Sequence, residues 1–222
     1  KITGVYYMKY SDHYILAKYM AKTYHITNPF HRIPFIIGNV LPDLNKFTYL
    51  QGYGRLRDRL CSLGVKLSLN DRRKLLIAGH TAEGSRYYVN KKTYIFRKKY
   101  HGVNAKKTGF LAWYRLGVML HYVVDRFTYP HTLRSDMAFM EHVRYEEELH
   151  EIFQTMVKKI DNERKHKSVM SSIREKLGNI NFDVLYRAFR MDAGKPVMPF
   201  DNCIYVFAVA VKYMDYVLPR NL

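Results

Sequence analysis

The run GFLAWYRLGVMLHYVVDRFTYPH occupies residues 109–131, and its reading decides the fold. Leu116, Val118, Met119 and Leu120 lead into His121 and Asp125, and Pro130 ends the segment, because the residue before a proline is driven out of the helical region. The periodicity predicts a long, strongly apolar helix from about Gly109 to Phe127. His121 and Asp125 stand four apart, stacked on one face about 6 Å apart along the axis. A carboxylate in so apolar a helix needs a compensating cation.

Working outward, helical periodicity recurs along the chain and strand signals are weak. Ser11 or Asp12 caps a helix reaching about Tyr24, with Ile15, Leu16 and Met20 on one face. Residues 25–50 read as an irregular segment, punctuated by Asn28-Pro29, Pro34, Gly38 and Leu41-Pro42-Asp43. Asn70 or Asp71 opens a helix to about Val89, and a basic, aromatic-bearing connection spans 90–107. A further helix opens at Ser135 or Asp136 and runs to about Lys159, with shorter ones over 167–177, 182–191 and 200–217. There is no repeat and no low-complexity tract. The expectation is one compact all-α domain over residues 1–222.

Composition sets outer bounds. Apolar residues form 48% of the 222, too many for a disordered chain. The longest apolar run, 203–211, is too short to span a bilayer. No secretory signal is visible at Lys1, which fits a cytoplasmic protein or a secreted mature form alike. Two cysteines, Cys61 and Cys203, make no disulfide framework and no metal-binding spacing. Lys plus Arg is 37 against 19 Asp plus Glu, a net +18 that suits polyanionic partners and also simply keeps a surface soluble.

The chemistry lies in histidines and carboxylates. His131 comes directly after Pro130, where the chain can turn back, and the next helix presents His142 and Glu146, again four apart. The composite is H-x3-D-x5-H-x10-H-x3-E. One such pair is ordinarily a hydrogen bond or a solvated pair. Two on consecutive helices with a histidine between them favour a metal, and without cysteine the donors suit zinc. Upstream, His80 has the alternative of a satisfied core histidine, Asp43 that of a turn aspartate, and His13 alone is unremarkable. His25, His31, His101, His150 and His166 read as surface residues.

These residues resemble the zinc-dependent phospholipase C family. The resemblance rests on Leu120-His-Tyr-Val-Val-Asp-Arg-Phe-Thr-Tyr-Pro-His131 with His142 and Glu146, and on Asp12-His13-Tyr14-Ile15-Leu16-Ala17, Leu41-Pro42-Asp43 and Gly79-His80 in the family's order. It covers roughly residues 10–150 and implies an all-helical fold with zinc ions in a cleft. Carried over, Asp43, His80, His121 and Asp125 would hold one zinc, and His131, His142 and Glu146 a second. A third would use His13, a bridging Asp125 and the first residue's amino group and carbonyl. Family members with that site begin with tryptophan, whereas this chain begins with Lys1 and has its one tryptophan at Trp113.

The implied activity is hydrolysis of a phosphodiester by a zinc-activated water, with Asp43 orienting or deprotonating it. The expected substrate is a phospholipid. The alternative is nucleic acid, as in the related single-strand-specific zinc nucleases, which usually close the ligand block with Asp where this chain has Glu146. A third reading is a zinc-stabilised binding protein without turnover. The basic segment Lys91-Lys92, Arg97-Lys98-Lys99 and Lys106-Lys107, interleaved with Tyr94, Phe96 and Tyr100, could seat an anionic membrane or stack bases.

Overall fold

A computed structural model describes residues 10–44, 82–100, 108–128, 139–161, 163–177, 180–192 and 198–218. Over these residues the chain is all-α, with no strand among them. The helices are α1 (Tyr10–Thr23), α2 (Pro29–Leu44), α3 (Ala82–Tyr100), α4 (Phe110–Asp125), α5 (Phe139–Ile160), α6 (Glu163–Leu177), α7 (Phe182–Asp192) and α8 (Pro199–Val217). None is long and apolar enough to cross a membrane.

Helix α1 buries one stripe, whereas α4 over 116–125 and α8 over 206–211 are buried on every face. In α1, His13, Leu16, Ala17 and Met20 point inward while Tyr10, Tyr14 and Lys18 face solvent. In α8, Val206, Val209, Ala210, Tyr213, Met214 and Val217 are buried. They join Leu116, Met119, Leu120, Phe127, Leu149 and Phe153 in a shared hydrophobic core. Cys203, in that core, is a free thiol that donates to the Leu149 carbonyl. Burial, and then the nearby Asp12 charge, push its pKa up to about 12.

Two parts of the sequence reading are corrected. Residues 29–44 are helical despite Pro34 and Pro42. Asn28 and Pro29 begin this helix rather than break it: the Phe30 N–H donates to Asn28 Oδ1 at 2.9 Å, and proline takes the first helical position. Each interior proline removes one backbone donor at about 3 kcal/mol, and both are buried, so tertiary packing outweighs local propensity. The second correction is α3, which continues to Tyr100 where a connection from residue 90 was expected. Phe96 is buried there and stacks with half-buried Tyr100, so of the three aromatics in the basic segment only Tyr94 is exposed. The expected helix opening at Asn70 or Asp71, the start at Ser135 or Asp136, and residues 101–107 lie outside the described residues.

The α2–α4 contact fixes how the polar residues of these two helices meet. The helices lie side by side, Phe35 opposite Gly117 and Asn39 opposite His121. They touch backbone to backbone. A Cβ added at Gly117 would lie 2.0 Å from the Phe35 carbonyl oxygen, and one at Gly38 would lie 2.0 Å from that of Tyr114.

Candidate metal centre

Three helices bring four ionisable side chains together. His13 comes from α1, Asp43 from the last turn of α2, and His121 and Asp125 from consecutive turns of α4. One donor atom from each lies within 4.8 Å of all the others. His121 Nε2 is 3.0 Å from Asp125 Oδ2 and 3.5 Å from Asp43 Oδ1. His13 Nε2 is 3.1 Å from Asp125 Oδ1 and 3.6 Å from Asp43 Oδ2. Each carboxylate therefore directs one oxygen to each imidazole. The two rings lie 3.9 Å apart between centroids, and His13, His121 and Asp125 are buried.

The imidazoles differ in protonation. Burial lowers the His121 pKa below its ordinary value, more strongly than Asp125 raises it, and the His13 charge lowers it further. His121 is thus neutral at pH 7. Its Nδ1 sits 2.9 Å from the Asn39 carbonyl oxygen, which can only accept, so Nδ1 carries the proton. Nε2 is left with a lone pair facing carboxylate oxygens. Acceptor against acceptor at 3.0 Å is unfavourable unless a cation lies between them. A carbonyl fixing one ring nitrogen so that the other can bind metal is the usual support of a histidine ligand.

At His13 burial also works to lower the pKa, but Asp125 and then Asp43 outweigh it and raise it to about 9. In the metal-free protein that proton supplies part of the positive charge the carboxylates need. Two imidazoles and two carboxylates fit zinc, and a divalent cation would meet the same charge more fully.

These shifts make stability depend on pH. The His13 pKa is higher folded than unfolded, so its stabilisation is complete below about pH 6.5 and is lost as pH rises through about 9. His121, shifted down, contributes above its ordinary pKa and loses that contribution as pH falls. Metal-depleted protein should therefore lose thermal stability between about pH 7 and 9.5, while zinc-loaded protein, with the proton displaced, should lose much less. Melting curves of both forms across that range test this; parallel pH profiles would remove His13 from the centre.

Of the eight residues singled out as ligands, the structure brings together His13, Asp43, His121 and Asp125. Glu146 is buried on α5 but is not in this cluster. His142 belongs to α5 by its backbone. His80 and His131 lie outside the described residues, as does Cys61. His13, expected to serve a separate third zinc, is as close to the carboxylates as His121 is.

Sequence reasoning missed the support of this cluster. Asp12 is no helix cap: it is fully buried and hydrogen-bonds His150 Nδ1. His150, read as a surface residue, is half-buried and its Nε2 also lies 2.7 Å from Gln154 Nε2. The Asp12–His150 contact pins the start of α1 to α5 beside His13. His166 is likewise engaged, 2.5 Å from the Tyr19 hydroxyl, and His31 stacks on Trp113. The adjacency of Asp12 to His13 was the one available signal.

The model of the family described as zinc-dependent phospholipase C matches residues 12–195, most of the chain. The chain belongs to the zinc-dependent phospholipase C family. The match begins at the Asp12-His13 pair and extends past the stretch over which the motifs carried the resemblance, through α6 and α7. A family defined by zinc accounts for two imidazoles and two carboxylates converging in a hydrophobic interior. Among curated proteins and among solved structures, none matches the chain.

Proposed function

We propose that this protein is a zinc-dependent phosphodiester hydrolase of phospholipase C type, cleaving a phospholipid to a phosphomonoester and an alcohol. The observation that carries the proposal is His121 Nε2, a buried lone pair held toward two carboxylates in a member of a zinc-dependent family. His13, Asp43, His121 and Asp125 would hold zinc, with His80 completing the set. His131, His142 and Glu146 would form a second centre. Zinc supplies a lowered pKa for water and electrostatic stabilisation of the phosphoryl and departing oxygens.

The chain's own residues have distinct parts in this reading. Asn39 holds the His121 ring through Nδ1, so that only Nε2 is presented. Asp125, with one oxygen toward each imidazole, spans the centre. Asp43, less buried than its three neighbours, accepts the proton of the attacking water on one carboxylate oxygen. Asp43→Asn is expected to keep most of the zinc and lose most of the turnover; unchanged turnover would take Asp43 out of the role. Parallel assays on phosphatidylcholine, a soluble phosphodiester and single-stranded DNA test the substrate. Cleavage of DNA alone would replace this reading with the nuclease one. Full zinc with no cleavage of any substrate would indicate a zinc-stabilised binding protein.

A further inference from the structure

A cleft of about 490 Å³ opens between α3, α4, α7 and α8. It is not the metal centre. Val123, Arg126 and Phe127 line it from α4 and its C-terminal end, and at 3.6 residues per turn Val123 projects about 160° away from Asp125. The metal cluster and the cleft thus lie on opposite sides of one helix. The volume is in the range of small-molecule sites.

Its chemistry is one-sided. Arg97, Lys98 and Arg126 bring three positive charges, and no Asp or Glu is among the described lining residues. The Arg97 guanidinium lies over the Tyr216 ring, 4.1 Å from its centroid. That cation–π contact holds the guanidinium over the ring at the edge of the cleft. The buried Arg97 Nε makes no hydrogen bond among the described residues. Tyr94 and Tyr216 are partly open to solvent, and Phe182 supplies an apolar wall. Deeper in, the Thr93 and Tyr213 hydroxyls are hydrogen-bonded to one another at 2.7 Å and so already satisfied. A buried cationic donor beside aromatic walls fits an oxyanion joined to an apolar group better than a neutral or cationic ligand.

We propose that this cleft is a second ligand site, separate from the metal centre, for a small phosphate monoester carrying an apolar chain or ring. The site does not depend on the reading of the metal centre. Calorimetric titration with hexyl phosphate, inorganic phosphate and hexanol tests it on the whole chain. Hexyl phosphate should bind more tightly than either fragment. Its affinity should fall about tenfold or more in Arg97→Met, which keeps most of the stacked stem and loses a charge-assisted hydrogen bond. It should fall measurably in Lys98→Met, an exposed position where misfolding is not at issue. Binding should persist in His13→Gln, which alters the metal cluster alone. Loss of binding in His13→Gln with retention in Arg97→Met would place the probe at the metal centre and overturn the proposal. Equal affinity for inorganic phosphate would overturn it too, because the aromatic walls would then contribute nothing.

Discussion

Asp125→Asn is expected to lower zinc affinity by about 100-fold or more and to abolish measurable hydrolysis. Loss of a residue that merely supports a metal ligand commonly costs about ten- to a hundredfold, and Asp125 is closer to the chemistry than that. It reaches both imidazoles, 3.1 Å from His13 Nε2 and 3.0 Å from His121 Nε2. Asparagine keeps the volume, removes the charge, and offers each imidazole at most a neutral amide. The largest influence raising the His13 pKa also disappears, so the metal-free variant should hold its His13 proton less tightly. Zinc titration with a competing chelator, alongside turnover on the best substrate, checks this. Wild-type affinity in the variant would mean that zinc, if bound, is held elsewhere.

The second large effect is structural. Gly117→Ala should destabilise the protein by about 3 kcal/mol or more, at the upper end of what over-packing costs. The added methyl would sit 2.0 Å from the Phe35 carbonyl oxygen and 2.8 Å from the Asn39 nitrogen. Both are backbone atoms, so no side chain can swing aside, and the helices must separate. Separation also withdraws the Asn39 carbonyl from His121. Zinc affinity should therefore fall together with the melting temperature, although Gly117 is not itself a ligand. A control at Gly109, where a Cβ would meet nothing within 4 Å, should melt close to wild type. A Gly117→Ala protein melting with wild type would contradict the close α2–α4 packing.

What was legible in the sequence was whatever depends on spacing within one helix. His121 and Asp125 share a face because they are four apart, and their apolar surroundings already implied burial and a cation. The bounds of α7 and α8 and the ends of α5 and α6 emerged from periodicity for the same reason, whereas α6 begins at Glu163, four residues before the expected start at 167. Helix α2 was illegible because two interior prolines and Gly38 are breakers locally. Their local cost is offset by packing: both prolines are buried, and Gly38 seats α2 against α4 near Gly117, a pairing between positions far apart in the chain. Asp12 and His150 were misjudged for a related reason: each looks like an ordinary polar residue until α1 is laid against α5. His13 was suspected only through its order among the motifs. Its distance to Asp125 is a property of the packed helices, invisible to periodicity.

Zinc among His13, Asp43, His121 and Asp125 is the claim on which the functional reading stands. Anomalous diffraction at the zinc absorption edge, on crystals of protein purified without chelators, tests it most directly. The expected result is a peak about 2 Å from His121 Nε2, the usual zinc–nitrogen distance, and within reach of Asp125. Protein that hydrolyses phosphodiesters with no anomalous peak at this cluster would contradict it.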